Sequence, residues 1–198
     1  MKHSKSRIIL ASGSIYRRQL LSKLQVDFDW QSPDVDETVQ TGETPETLVK
    51  RLSISKARAV AAQYTHSNSL VIGSDQVAVL NGQILGKPLH HARAVEQLQQ
   101  CSGESVAFLT GLCVINCKTD AVLYSSELFT VTFRELSLAQ IENYLLCDKP
   151  YDCAGSFKAE GLGVALFSRM EGKDPNSLIG LPLIQLVNFL EAFGYPII

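Results

Sequence analysis

Hydrophobic and polar positions follow two alternating periods along this chain, and the switches between them mark its elements. Arg7 to Ala11 reads as a first strand, ended by Ser12-Gly13-Ser14 before a helical pattern from Tyr16 to Leu24. A second helix is predicted from about Pro45 to Gln63, with Thr44 as N-cap, Pro45 at the first helical position, and Leu48, Leu52 and Val60 among its apolar positions. The apolar run Leu70-Val71-Ile72 ends in Gly73-Ser74-Asp75-Gln76, resumes as Val77 to Leu80, and turns at Asn81-Gly82. Asn-Gly between apolar runs signals a hairpin, because both central residues of a type I′ turn need positive φ. A helix over about Ala92 to Gln100 precedes two alternating runs, Val106 to Asn116 and Val122 to Phe133, which read as long antiparallel strands. Ser137-x-x-Gln140 opens a helix to about Cys147, Val164 to Phe167 reads as a last strand, and Leu183 to Phe193 as a helix stopped by Gly194. Helices mixed with paired strands predict an α/β fold, a mixed twisted sheet flanked by helices in two lobes around a central cleft, where a ligand would sit. No repeat or linker divides residues 1–198, so one domain is expected.

Composition excludes several classes. Hydrophobic residues at 45% and charged residues at 19% are those of an ordinary globular protein. The 18 Lys+Arg against 20 Asp+Glu give a net charge of −2, too little positive charge for a broad nucleic-acid footprint, so any anion site is local. Lys2, Lys5 and Arg7 precede an apolar stretch too short for a signal-peptide core, and no stretch approaches a membrane span, so a cytoplasmic location is expected. The five cysteines, Cys101, Cys113, Cys117, Cys147 and Cys153, read as reduced thiols. Cys113 and Cys117 suit buried small hydrophobes better than a zinc site, and His90-His91 suits a solvated first turn better than a ligand pair. His3 and His66 fall near a terminus or loop.

Asp75 changes the picture, because it interrupts an otherwise buried strand, where an unpaired charge costs several kcal/mol or more. Its partner could be a metal, a lysine or a buried hydrogen-bond network; the hairpin is expected to return Lys87 toward it. Ser12-Gly13-Ser14-Ile15-Tyr16-Arg17-Arg18 places two hydroxyls and two guanidiniums at a predicted helix N-terminus, which suits phosphate oxygens but also describes a capped helix with a solvated basic turn. Asp34, Asp36 and Glu37 form an acidic loop of the kind that supplies oxygens to Mg²⁺, or that is merely solvated, and Lys56 adds a cation on the next helix. Without a nucleophilic histidine or cysteine among them, these groups fit metal-assisted attack of water on a phosphoanhydride better than acyl transfer.

The motifs LASGSIYRR, SPDVDET, VIGSDQV, GKP, CAGSFKAEG and DPNSLIGLPL together resemble the Maf family of nucleotide pyrophosphatases along essentially the whole chain. The Gly-Ser-Asp-Gln form, Tyr16 before the arginine pair and Glu160 resemble the subgroup that hydrolyses 7-methyl-GTP; the dTTP/UTP subgroup has Gly-Ala-Asp-Thr, arginine and glutamine at those places. One departure is Ser14-Ile15 where the family has Ser-Pro; the loss of proline at a first helical position softens the turn without removing chemistry.

The resemblance implies a Maf/ITPase-like fold and cleavage between the α- and β-phosphates with a divalent cation, Mg²⁺ or Mn²⁺. Asp75 would be the general base or metal-orienting carboxylate, and Glu37 would help hold the metal. Lys56, Lys87, Arg17 and Arg18, with Ser12 and Ser14, would take the phosphates. Glu160 would accept the adjacent donors of 7-methylguanine while Tyr16 stacks on the cationic ring, and Gln76 would touch phosphate or support the strand end. Competing readings are a dTTP/UTP pyrophosphatase and a nucleotide-binding regulator of septum formation without turnover. The expected partner is a small nucleotide, not nucleic acid or membrane, and a homodimer accords with the resemblance and with the prevalence of two-fold dimers.

Overall fold

The computed structural model describes residues 6–198, so Lys2, His3 and Lys5 lie outside it. The strands are β1 (Arg7–Ala11), β2 (Phe28–Gln31), β3 (Ser69–Leu80), β4 (Gln83–Leu85), β5 (Ser105–Asn116), β6 (Ala121–Phe133) and β7 (Phe167–Gly172). The α-helices are α1 (Ile15–Ser22), α2 (Pro45–Ala61), α3 (His91–Cys101), α4 (Leu138–Asp148), α5 (Pro175–Ile179) and α6 (Leu183–Ala192). One sheet runs in the order β2-β1-β3-β5-β6-β7, with β4 added to β3. Pairing is parallel among β2, β1 and β3 and antiparallel from β3 onward, so the sheet is mixed as predicted.

Local chemistry accounts for the element ends. Ser14, Thr44 and Ser137 each cap a helix with a side-chain oxygen, the last two in capping boxes. Asn81 and Gly82 take φ of 50° and 79° and close the β3–β4 hairpin. His90 is the N-cap of α3, its Nδ1 accepting from Arg93 N–H, while His91 contacts Tyr151 and Glu142. The expected strand at Val164 to Phe167 is corrected: Leu162–Leu166 forms a 3-10 turn and the strand begins at Phe167. Leu162 and Val164 point to solvent there, so the apolar run that suggested a strand is not a buried one. The short strand β2 and the single-turn helix α5 have no counterpart among the predicted elements.

Strand alternation sends Ile8, Leu10, Leu70 and Ile72 to one face, under α1 and α6, and Ile9, Ala11 and Val71 to the other, under α2. Cys113 and Cys117 are buried in the α2 face as small hydrophobes. The far halves of β3, β5 and β6 instead carry α3 and α4, packed over Phe108, Phe129 and Phe133. The long strands are thus shared by two lobes. Between them, the edge of β3 pairs with β1 only up to Gly73 and with β4 only from Ala78, which leaves Ser74 to Val77 open on that edge. No helix among the described residues is long and apolar enough to cross a membrane.

Helix α2 lies against β3 and β5 at two glycines. A Cβ at Gly73 would stand 2.4 Å from the Ser53 carbonyl oxygen, and one at Gly111, which pairs with Asp75 across the sheet, 2.4 Å from Ser53 Oγ. Overpacking of this kind displaces backbone. Gly111→Ala should therefore lower stability to urea by about 1–3 kcal/mol, whereas Gly86→Ala, whose Cβ meets nothing within 4 Å, should stay within about 0.5 kcal/mol of wild type.

Candidate active site

A cleft of about 860 Å³ opens where β1 leaves β3, a volume of the size that encloses a small organic ligand. Its walls come from the β1–α1 turn, the acidic loop after β2, the middle of β3, the segment after β4 and the loop between α4 and β7. This is the crevice beyond the carboxyl end of a parallel strand, the usual ligand position in open α/β sheets.

At its centre, Lys56 on α2 donates from Nζ to Asp75 Oδ1 at 2.6 Å and to Glu37 Oε1 at 2.7 Å. Lys56 and Asp75 are each 6% exposed. The partner of Asp75 is therefore Lys56 and not Lys87, which lines the same cleft from the segment after β4 but makes no ion pair with Asp75. The close approach of α2 at Gly73 and Gly111 brings Ser53 and Lys56 onto β3, and Ser53 Oγ also accepts the Asp75 backbone N–H on the open strand edge. Burial would raise the Glu37 carboxyl, but Lys56, Lys87 and Arg17 together hold it below the usual carboxylate range.

The acidic loop supplies one carboxylate to the cleft, not three. Asp36 spends its side chain on the Thr38 N–H, and neither it nor Asp34 lines the cleft. Arg51 of α2, which sequence reasoning passed over, holds this loop: it binds Glu43 through two hydrogen bonds of 2.7 and 2.8 Å and the carbonyls of Asp36 and Thr38. The same pair pulls the Glu43 carboxyl down to about 2.

In the β1–α1 turn, buried Ser12 accepts the Ser14 N–H and Ser14 Oγ accepts the Arg17 N–H, so both serines shape the turn as well as lining the cleft. Ile15, in the place of the proline, opens α1 at the cleft lip and is 53% exposed. Arg17 faces Asp75 and Glu37, anchored by Nε to the Gly180 carbonyl at 2.7 Å; burial lowers its pKa and the two carboxylates oppose that shift. Arg18 is corrected: it stacks on Trp30 at 4.0 Å and does not line the cleft. Successive helix residues point about 100° apart, and here that step carries Arg18 off the cleft side of α1 and onto Trp30.

Gln76 lines the cleft while its Nε2 donates toward Thr110 and the carbonyls of Ser177 and Leu178. The turn containing α5 therefore braces β3 from behind. Asp174, 1% exposed, holds that turn by accepting from Asn176 and from the Ile184 N–H at the start of α6. At the other end of the cleft, Tyr16 and Glu160 come together with Asp152 and Cys153. Burial and the neighbouring Cys153, Asp152 and Glu160 push the Tyr16 hydroxyl up to about 12, so it stays neutral. Burial also raises the Glu160 carboxyl, with Asp148 and Asp152 adding to the effect. Burial pushes the Cys153 thiol up to about 12, which rules it out as a thiolate nucleophile at neutral pH. Asp152 lines the cleft at this end, although no motif had marked it.

The sequence profile of the Maf-like protein family matches residues 7–193. A protein of Pseudomonas savastanoi pv. phaseolicola named 7-methyl-GTP pyrophosphatase is 57% identical over 187 residues, covering 94% of this chain and 96% of that one. Proteins of the same name from Nitrosococcus oceani and Pseudomonas aeruginosa are 52% and 53% identical, each match covering 96% of this chain and 95% and 98% of theirs. Among solved structures, the Staphylococcus aureus Ham1 protein superposes with a TM-score of 0.50 at 14% identity, covering 94% of this chain and 99% of that chain, a likeness of fold alone.

Removing Lys56 leaves the buried Asp75 carboxylate without its partner. Lys56→Met is expected to lower stability to urea by about 3 kcal/mol at neutral pH, and Lys56→Met with Asp75→Asn to recover part of that loss. A Lys56→Met protein as stable as wild type would show that the pair is not buried in solution.

Proposed function

The chain belongs to the Maf-like protein family, and from that premise we propose that it works as one nucleoside triphosphate pyrophosphatase domain, hydrolysing 7-methyl-GTP to 7-methyl-GMP and diphosphate. The observation that carries the reading is the arrangement of the cleft: a carboxylate pair on one lysine at its centre, with a neutral tyrosine and a carboxylate at one end. The names of the relatives from Pseudomonas and Nitrosococcus support the same substrate.

The donor set fits a divalent cation that arrives with the phosphates. Among the described residues no group of three His, Cys, Asp or Glu side chains is placed to hold a metal, but Asp75 and Glu37 stand side by side, each giving one oxygen to the Lys56 ammonium, and Mg²⁺ is commonly held by one or two carboxylates plus substrate phosphates and water. Asp75 and Glu37 would hold Mg²⁺ or Mn²⁺, which when bound neutralises phosphate charge and favours ionisation of water.

In our reading Asp75 accepts the proton of the attacking water. Its Oδ1 accepts from Lys56 Nζ, which orients the carboxylate in the cleft. Lys87 and Arg17 offset the charge that grows on the departing diphosphate, and the Ser12 and Ser14 hydroxyls with the first N–H groups of α1 meet the remaining phosphate oxygens. Tyr16 stacks on the cationic 7-methylguanine ring, and Glu160 accepts its N1–H and N2–H. Gln76 acts by holding β3 to the α5 turn, its amide N–H groups being spent there.

Wild-type protein should release diphosphate from 7-methyl-GTP in preference to GTP, dTTP and UTP with Mg²⁺ or Mn²⁺, and a chelator should stop it. Asp75→Asn should lower kcat about 10²- to 10⁴-fold, the range for loss of a general base. Preferential dTTP/UTP cleavage would contradict the substrate, and nucleotide binding without diphosphate release would contradict the enzyme.

Glu160 gives a pH prediction. Ionised Glu160 is the acceptor form, so KM for 7-methyl-GTP should fall as pH rises through its titration, which lies above the ordinary 4.5. Glu160→Gln should flatten that dependence and raise KM for 7-methyl-GTP about tenfold more than for UTP; equal losses on both nucleotides would remove Glu160 from base recognition.

A further inference from the structure

Helix α3 turns an apolar face inward, Ala94, Leu98 and Cys101, and in that face sits one amide, Gln97, 2% exposed. Burying an amide is unfavourable unless both of its ends find partners. Here they do, and the partners belong to two different segments that each carry residues of the cleft. Gln97 Nε2 donates to the carbonyl of Gly86 at 3.0 Å, and Gln97 Oε1 accepts from the hydroxyl of Ser156. Gly86 immediately precedes Lys87 on the phosphate side. Ser156 lies in the loop that carries Asp152, Cys153 and Glu160 beside Tyr16.

We propose that Gln97 is a positioning residue that sets the spacing between the Lys87 segment and the base-recognition loop, and through it the preference for the nucleotide base. The inference rests on the function proposed above. Neither Gln97 nor Ser156 lines the cleft, so both act through the segments they hold.

The Lys87 segment and the loop are also joined by the Leu89 N–H to the Tyr151 carbonyl at 2.9 Å, but two features tie the Gln97 link to the part of the loop that leads to Glu160. Ser156 is fully buried and has a φ of 62°, following Gly155 at 77°, so the chain takes two successive left-handed steps there. A non-glycine residue holds that conformation only when its surroundings enforce it. Those steps deliver Phe157 into an edge-on cluster with Phe108, Phe133 and Phe167, after which Glu160 reaches the cleft. The base-recognition loop is otherwise irregular, and the Gly86-Lys87-Pro88 segment is too. A nucleotide has a set span from its phosphates to its base, so a cross-link between these two segments bears on which nucleotide meets both at once.

The test compares wild type with Ser156→Ala, which removes the loop arm alone, and Gln97→Met, which keeps side-chain length and removes both arms. Circular dichroism and thermal melting establish folding, and kcat and KM are measured for 7-methyl-GTP and GTP. Ser156→Ala should raise KM for 7-methyl-GTP about tenfold, the scale of one buried hydrogen bond left unmade, with kcat within about twofold of wild type. The ratio of kcat/KM between the two nucleotides should fall with it. Gln97→Met should lose the same selectivity and also lower kcat, because the Lys87 segment is released, and adding Ser156→Ala to it should cost no further selectivity. Folded variants with the wild-type selectivity ratio, or with only a lowered Tm, would overturn the proposal and reduce Gln97 to a structural bond. If Gln97→Met fails to fold, Ser156→Ala decides alone. A wild type that releases diphosphate from no nucleotide would overturn the functional reading first, and this inference with it, a failure seen without any variant.

Discussion

The site depends on one buried ammonium held between two carboxylates. Lys56 cannot be stable at 6% exposure without Asp75, nor Asp75 without Lys56, since each charge taken from water needs its partner to offset desolvation. The pair therefore fixes where α2 must lie on the sheet, and Gly73 and Gly111 are the two places where the sheet gives way to let it. Glu37, tethered to the same ammonium from a loop without regular structure, is brought to the cleft by that contact and by Arg51 behind it. Charge pairing, helix docking and loop placement are one constraint seen from three sides.

The two-lobed sheet supplies the rest. Because β3 loses β1 after Gly73 and gains β4 only at Ala78, four of its residues stand at an open edge between lobes that share the same long strands. Asp75 and Gln76 fall within that gap. Phosphate-side groups come from the first lobe and from the segment after β4, base-side groups from a loop packed on α3 and α4, so a nucleotide laid across the cleft would touch both lobes.

Much of the fold was legible because its signals are local. Thr44-Pro45, Asn81-Gly82 and Ser137-x-x-Gln140 each act within four residues, and the elements they delimit stand where predicted. The misses are of a different kind. The β2 strand is four residues without a buried face, α5 is a single turn held by Asp174, and the apolar Val164 to Leu166 is a 3-10 turn because tertiary contacts, not periodicity, decide it. The site divides in the same way. Ser12, Ser14, Tyr16, Arg17, Glu37, Lys56, Asp75, Gln76, Lys87 and Glu160 all line one cleft. Arg18 does not, because its guanidinium stacks on Trp30, a contact with β2 that the sequence did not predict. Proximity in sequence suggested Lys87 for Asp75, but the lysine that pairs is 19 residues away on a crossing helix, a choice made by packing at two glycines. Arg51 and Gln97 carried no motif, and Asp174 stood in one without a role, because their partners, which include the Thr38 and Gly86 carbonyls and the Ile184 N–H, lie on other segments that a sequence does not bring together.

The central claim is that water, activated at Asp75, attacks the α-phosphorus and diphosphate leaves. Hydrolysis of 7-methyl-GTP in ¹⁸O-enriched water, with mass analysis of both products after a single turnover, tests it most directly. The account predicts one labelled oxygen in 7-methyl-GMP and none in diphosphate. Label in the diphosphate would place the attack on the β-phosphorus and contradict the assignment of Asp75, Lys87 and Arg17 to opposite sides of the bond that breaks.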